Sequence, residues 1–492
     1  MRDQRSGPST EPADRVERTD DGVERTDDRT RGLDTHSTIP ADRGPSAHDP
    51  IPTITATDPA LAAIVDYERR RQETTLSLIA SENCASPAVR AAQGSCLTNK
   101  YAEGRPGSRY YAGCEHVDAL ERLAERRARA LFGAEYVNVQ PHSGSQANMA
   151  AYVALLEPGD TILSLALSDG GHLSHGHRHS FASSYYEAAH YHVDEATGRL
   201  DYDAIAERAR GVDPDVIVAG YSAYPRAVDW ERFREIADDV DAALVADIAH
   251  LTGLVAAGVH RSPVGVADVV TGSTHKTIRA GRGGIVMTDD ADVADALHRA
   301  VLPGVQGGPL VHNVAGKAAG FGEALADDGE GVAPAFAAYA RRIVDTADAL
   351  GERLRGRGFD LVSEGTDVHF VLVDLRETHP DLPGTDAEDA LERAGLVVSR
   401  SPVPGDHRPN HVGSGVRLGT PVLATRGLDA EDARRVADWI ADVLDAPEDE
   451  DVIDRVRTAV RACCLEHPIE PAVAPPAAPS VEHTVDRAEE DR

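Results

Sequence analysis

The sequence predicts an α/β fold: a parallel sheet flanked by helices, followed by a smaller domain, with ligands bound at the carboxyl ends of the strands. Three observations carry this reading. The runs Asp215–Gly220, Ala242–Asp247 and Asp268–Thr271 are apolar without polar alternation, as strands buried on both faces must be. Between the first two, Trp230–Asp239 spaces its apolar residues at helical intervals. The strand runs end in residues that can do chemistry, Asp247 among them, where a βαβ sheet opens its binding crevice.

Taken in order, residues 1–55 are rich in Asp, Arg, Thr, Ser and Pro, with little to bury. They contain a tandem duplication, Val16-Glu-Arg-Thr-Asp-Asp21 and Val23-Glu-Arg-Thr-Asp-Asp28, and are expected to form a disordered tail. The alternating strand and helix pattern is expected to occupy 76–325 as the large domain. A small C-terminal domain over 326–467 would hold His369–Asp374 and Gly415–Gly419 as strands and Ala430–Ala441 as its final helix. The Pro/Ala-rich and then charged stretch 468–492 reads as a second tail.

Composition excludes several classes. A chain of 492 residues with net charge −32 lacks the basic surface that nucleic acid or an anionic membrane requires. Acid is spread throughout and Lys is scarce beside Arg, which fits a protein kept soluble in a salty cytoplasm, where ions screen self-repulsion. A merely acidic protein with acidic tails is the alternative. Cys84, Cys96, Cys114, Cys463 and Cys464 are odd in number and lack metal-ligand spacing, so no metal site is expected and a reducing compartment fits. No leader-like apolar segment and no membrane-length run is present.

Three segments together point to chemistry. In Asp268-Val-Val-Thr271-Gly-Ser-Thr-His275-Lys276 a strand run leads to a lysine, and a Gly/Arg loop ending at Gly284 follows. A desolvated lysine there has a lowered pKa and suits Schiff-base formation with an aldehyde cofactor; a solvated loop lysine is the other reading. Asp247 closes a buried strand, where a carboxylate is costly without a partner such as a protonated pyridine nitrogen; a surface Asp at a strand end is the alternative. Ser143-Gly144-Ser145 precedes a good helix former, so backbone N–H groups and the helix dipole converge on an anion; a plain N-cap would need only one Ser.

These residues resemble serine hydroxymethyltransferase, a fold-type-I pyridoxal phosphate (PLP) enzyme, over roughly residues 78–428. The resemblance rests on Leu78-Ile-Ala-Ser-Glu-Asn83, Leu97-Thr-Asn-Lys-Tyr-Ala-Glu-Gly104, Arg109-Tyr-Tyr111, Gly170-Gly-His-Leu-Ser-His-Gly176, Ser222-Ala-Tyr-Pro-Arg226, Gln306-Gly-Gly-Pro309 and Ser414-Gly-Val-Arg-Leu-Gly-Thr-Pro421. It implies a large domain with a mixed, mainly parallel seven-stranded sheet, a smaller α+β domain, and a helical arm over 56–75 that wraps a partner subunit. It implies that Lys276 holds the cofactor aldehyde, Asp247 pairs with the ring nitrogen, His172 stacks on the ring and His250 hydrogen-bonds near its phenolic oxygen. Ser143, Gly144 and Ser145 would hold the phosphate, with Tyr101 on the phosphate side and Gly308 contributed by a neighbouring subunit; Ser222 and His275 would also border the cofactor. Arg417 would clamp the amino-acid carboxylate bidentately, Ser81 and Tyr111 would orient it, and Glu103 would be the acid/base beside the serine hydroxyl. A homodimer with shared active sites follows, or a tetramer of such dimers, because Tyr101, Glu103 and Tyr111 would reach into the partner's site. The implied co-substrate is tetrahydrofolate or a related pterin, and the implied location is the cytoplasm.

The chain departs from the family pattern at identifiable places. Ser399-Arg-Ser401 stands where Asn-Lys-Asn is usual, and the second Asn commonly contacts the pterin; a serine hydroxyl cannot reproduce a carboxamide's paired contact. Leu167, Gly171 and Tyr110 keep the folate-side pattern. Asp169 replaces a frequent His, Gly272-Ser273 stands where Thr is common, Ala280-Gly281 replaces Gly-Pro, and His177-Arg-His-Ser180 is more basic than usual. Other readings therefore stay open: a folate-independent aldolase or transaldolase on threonine-like β-hydroxy amino acids, an α-methylserine hydroxymethyltransferase, or a silent homologue acting as a regulatory or scaffold partner. The presence of Lys276, Asp247 and Arg417 speaks against the last.

Overall fold

The computed structural model describes residues 51–326, 329 and 331–469. The tandem duplication and most of both expected tails lie outside these residues. One part of the first tail does not: Ile51–Thr57 is helical, which corrects the expectation of disorder up to residue 55. Asp58 joins this helix to the next, donating its backbone N–H to Ile54 O at 2.7 Å while its side chain accepts from Leu61 N at 3.0 Å. With Pro59 at the first position, Asp58 caps the expected arm helix, Pro59–Thr74.

Seven strands form the central sheet, in the spatial order Tyr136–Asn138, Gly284–Thr288, Val269–Ser273, Ala243–Asp247, Val216–Gly220, Thr161–Leu165 and Glu187–Tyr191. The last five are mutually parallel, and Gly284–Thr288 runs antiparallel to both its neighbours. Alternation along each strand sends side chains into two cores. Ile217, Ala219, Leu244 and Ala246 enter one, and Val216, Val218 and Val245 enter the other. The helix Trp230–Asp239 begins at Asp229, whose carboxylate accepts from Arg232 N, and it buries Trp230, Phe233, Ile236 and Ala237 along one stripe. The strands and this helix fall where the sequence places them, to within one or two residues.

A second, antiparallel sheet has the order Asp360–Leu361, Phe370–Asp374, Gly415–Gly419 and Ser399–Ser401. Its surroundings correct the sequence reading in three ways. Leu76–Ser77 pairs in parallel with Leu396–Val397, so Leu76 and Leu78 belong to this second core and not to that of the large sheet. The helix Pro334–Gly356 serves both cores, Phe336 and Ile343 in one and Leu350 and Leu354 in the other, which blurs a boundary at 325. The helix Ala430–Asp445 is not the last: Glu450–Glu466 follows, capped by Asp449 and burying Ile453, Val456 and Val460.

Candidate active site

The carboxyl ends of the parallel strands collect the chemistry. Asp247 ends its strand in register with Thr271 on one side and Gly220 on the other. Gly220 is required there, because a Cβ would stand 2.4 Å from the Asp247 carbonyl oxygen. The buried Asp247 carboxylate accepts from Asn148 Nδ2 at 2.8 Å and His175 Nε2 at 2.9 Å through Oδ2, and from Ala249 N at 2.8 Å through Oδ1. Burial works against its charge, but the hydrogen bond and charge of His175, with His172 and Asn148, outweigh burial and hold the carboxyl below the usual range. Asn148 is itself fixed, accepting from Thr271 Oγ1 at 2.5 Å and donating to Ser174 Oγ at 2.8 Å.

Lys276 follows the next strand and is buried. Burial pulls its pKa down to about 8; Asp247 opposes the shift, and the positive charges of Arg417 and Arg282 add to it. Its backbone carbonyl accepts from Asn83 Nδ2 at 2.9 Å, and the same amide nitrogen reaches Tyr339 Oη at 2.6 Å. Asn83 Oδ1 in turn accepts from Thr425 Oγ1 at 2.8 Å and from Cys84 N at 2.9 Å. The Ser81-Glu-Asn83 segment thus ties Lys276 to the elements of the second sheet.

Arg417 lies on one of the two inner strands of that second sheet, Gly415–Gly419. Its Nη1 donates to the Ser222 carbonyl at 2.7 Å and to Ser222 Oγ at 3.2 Å, while Nε makes no hydrogen bond. No carboxylate among the described residues pairs with it, and burial alone lowers its pKa to about 10. A buried guanidinium with a free edge is costly unless an anion completes it. Ser222 is held by the glycine loop, its N–H donating to Gly170 O at 2.7 Å, and this brings the His172 segment to the same place. His172 is kept neutral, with a pKa near 4, chiefly by burial and then by the nearby His175. His250 is pushed well below its ordinary value by burial, then by Lys276, and its ring stacks on His369 with Nδ1 to Nε2 at 3.1 Å. His275 is likewise held neutral by burial, near 3, and its Nδ1 is unpartnered.

The helix Gly144–Leu155 opens at Ser143, whose Oγ accepts from Gln146 N at 3.2 Å. A Cβ on Gly144 would lie 2.6 Å from Ser273 Oγ, so any side chain there would require Ser273 to move. Unpartnered donors, a neutral ring beside a buried carboxylate, a lysine of depressed pKa and a glycine-tight helix N-terminus fit an aldehyde-bearing, phosphorylated pyridine cofactor.

Other expected residues assemble elsewhere. Tyr101 Oη and Tyr111 Oη lie 3.2 and 3.1 Å from the two oxygens of Glu103, and a Cβ on Gly308 would touch Glu103 and Tyr101. Tyr101 is 58 % and Tyr111 47 % exposed, so this cluster faces outward. Ser81 follows Ala80, which packs on Gly419 of the Arg417 strand. Leu167 and Gly171 share one loop, Tyr110 is 72 % exposed, and Ser401 is buried with its hydroxyl donating to the Pro402 carbonyl at 3.1 Å. A cavity of about 460 Å³ borders Leu167 and His172, with His177, Arg178 and His190 on its wall. Asp169 accepts from His192 Nδ1 at 2.8 Å and Val193 N at 3.2 Å, which anchors the glycine loop. The sequence reading assigned no role to Asn83 or Asn148, nor to His175 beyond a loop pair with His172; the partners Lys276, Asp247 and Thr425 that give them their roles lie 72 to 342 residues away from them, and only the polar character of their motifs signals them.

The family model described as "Serine hydroxymethyltransferase" matches residues 54–440. A serine hydroxymethyltransferase of Natronomonas pharaonis is 61 % identical over 412 residues, covering 84 % of this chain and 95 % of its own. One of Haloarcula marismortui is 59 % identical over 408 residues, 83 % of this chain and 96 % of its own. One of Alkalilimnicola ehrlichii is 52 % identical over 418 residues, 85 % of this chain and 98 % of its own.

Proposed function

The chain belongs to the serine hydroxymethyltransferase family, and from that premise we propose that it moves the hydroxymethyl carbon of serine to tetrahydrofolate, giving glycine, 5,10-methylenetetrahydrofolate and water. The observation that carries this reading is the meeting of Lys276, Asp247 and Arg417: the charges of the other two act on Lys276, and Arg417 keeps a buried edge free for a carboxylate.

Bound PLP supplies an aldehyde for the lysine and a ring that takes up the electron pair left when the Cα–Cβ bond breaks. The chain's own residues do the rest. Lys276, with its pKa near 8, offers an appreciable fraction of neutral amine at ordinary pH. Asp247, held ionised, would pair with the protonated ring nitrogen of the bound cofactor. Ser143, Gly144 and Ser145 hold the phosphate, and neutral His172 provides an uncharged face for the ring. Arg417 binds the substrate carboxylate, with Ser81 and Tyr111 orienting it. Glu103 handles the proton of the hydroxymethyl oxygen; His250, Ser222 and His275 border the cofactor.

The catalytic unit is a homodimer. The Tyr101–Glu103–Tyr111 cluster is exposed and gathers around Gly308, as residues offered to a second copy would. The arm helix also leaves Leu61, Ile64 and Tyr67 on its outer side. Five cysteines without metal spacing suit the cytoplasm. The test is glycine formation from serine by the PLP-loaded full chain in high salt, with and without tetrahydrofolate. Strong folate stimulation is expected. Turnover indifferent to folate would replace this reading with the aldolase one.

A further inference from the structure

Lys317 sits in the middle of the helix Val311–Ala324 and is 1 % exposed. Its Nζ donates to Val139 O at 2.6 Å, Pro141 O at 2.9 Å and Gly284 O at 2.9 Å. Three donors meet three backbone carbonyls, a full complement for an ammonium group and more than a neutral amine can serve. No acid pairs with it among the described residues. Burial pulls its pKa down to about 7, with the charge of Glu121 opposing the shift, so the group is costly to bury in its charged form; an apolar side chain of the same length would fill the volume, so its three hydrogen bonds have work that packing alone does not explain.

The three carbonyls come from two segments. Val139 and Pro141 lead into Ser143 and the helix N-terminus; Gly284 closes the loop that starts at Lys276. Two consecutive glycines on the loop side let the segments meet: a Cβ on Gly283 would stand 2.3 Å from Lys317 Cε, and one on Gly284 would stand 2.2 Å from the Ser143 carbonyl oxygen. Pro141 O also accepts from Gly284 N at 3.0 Å. Gln306 takes up the groups Lys317 leaves, with Nε2 donating to Gln140 O at 2.9 Å and Oε1 accepting from His142 N at 3.2 Å. The approach to the anion-binding turn is therefore fixed by two side chains from a distant part of the chain.

We propose that Lys317, assisted by Gln306, is a positioning residue for the cofactor phosphate: it locks the 139–142 segment to the glycine loop behind Lys276 and so sets the spacing between the phosphate-gripping helix N-terminus and the lysine that takes the aldehyde. This rests on the reading that Ser143, Gly144 and Ser145 hold the phosphate.

The experiment compares binding of pyridoxal phosphate and of pyridoxal, which lacks the phosphate, to the full chain stripped of cofactor. Absorbance titrations are run on the parent, Lys317→Met, Gln306→Leu and Ser145→Ala, with inorganic phosphate as competitor. For Lys317→Met the expected result is about ten- to hundred-fold weaker binding of pyridoxal phosphate, with pyridoxal binding kept within about twofold and phosphate competition lost. Equal losses for the two ligands, or no loss, would overturn the proposal. If Lys317→Met does not fold, Gln306→Leu is read by the same two criteria and decides it. Ser145→Ala separates the underlying reading: if the parent prefers pyridoxal phosphate but Ser145→Ala does not erode that preference, the phosphate site is misplaced, whatever Lys317 does.

Discussion

His175 donates from Nε2 to Asp247 Oδ2 across 2.9 Å, with both side chains buried. The backbone N–H of His172 points to His175 Nδ1 at 3.4 Å, which orients the ring toward the carboxylate. The carboxylate is thus held by two buried donors, the His175 ring and the Asn148 amide.

His175→Phe removes one hydrogen bond to a buried carboxylate, worth about 1.5–3 kcal/mol. Asp247 should then hold its charge less firmly. Cofactor affinity, measured by absorbance titration, is expected to fall roughly ten- to hundred-fold, with Asp247→Asn more severe. Unchanged affinity in both variants would remove Asp247 from the site.

A second prediction concerns the pH at which Lys276 becomes reactive. Its folded-state pKa is depressed from 10.5 to about 8, so the neutral amine grows in as pH rises through about 8. Capture of pyridoxal by the cofactor-free chain, trapped by borohydride reduction and read by mass spectrometry, should show its midpoint there. Lys276→Ala should abolish capture, the visible cofactor band and turnover. A midpoint near the ordinary lysine value would mean that Lys276 is solvated.

Much of this was legible in the sequence because it depends on local pattern. Apolar runs without alternation mark Ala243–Asp247 and Val216–Gly220, and Asp229 ahead of Trp230, Phe233 and Ile236 marks a capped helix. The ordered motifs mark Lys276, Asp247 and Arg417. What escaped depends on distant partners. Leu76 pairs with Leu396, 320 positions along, and nothing near Leu76 indicates which sheet it joins. Lys317 looks like any surface lysine in an Ala/Gly-rich helix, since its partners are backbone carbonyls that carry no side-chain signature. The Glu450–Glu466 helix is disguised by its charge, although Ile453, Val456 and Val460 keep helical spacing.

The free edge of Arg417 leads to a third prediction. Lysine would keep the charge but lose the planar fork. For Arg417→Lys, kcat/KM for serine should fall about ten- to hundred-fold or more, mostly through KM, while the cofactor still binds and its spectrum persists. Equal KM values for the two proteins would place the substrate carboxylate elsewhere.

The last prediction asks whether one chain holds a whole site. Glu103, with Tyr101 and Tyr111, forms an exposed cluster, whereas Lys276 is buried at the strand ends. Glu103→Gln alone should collapse folate-dependent cleavage and leave glycine binding intact. Lys276→Ala alone should be inactive for another reason. In a mixed dimer with shared sites, one site combines both lesions, while the other joins the intact Lys276 of one chain to the intact Glu103 of its partner. Mixing the two inactive variants under conditions of subunit exchange should therefore restore turnover. If each site is built within one chain, every site in the mixture carries a lesion and no activity returns. Restored activity would require Glu103 to act across the interface; a silent mixture, with exchange verified by mass spectrometry, would return Glu103 to its own subunit.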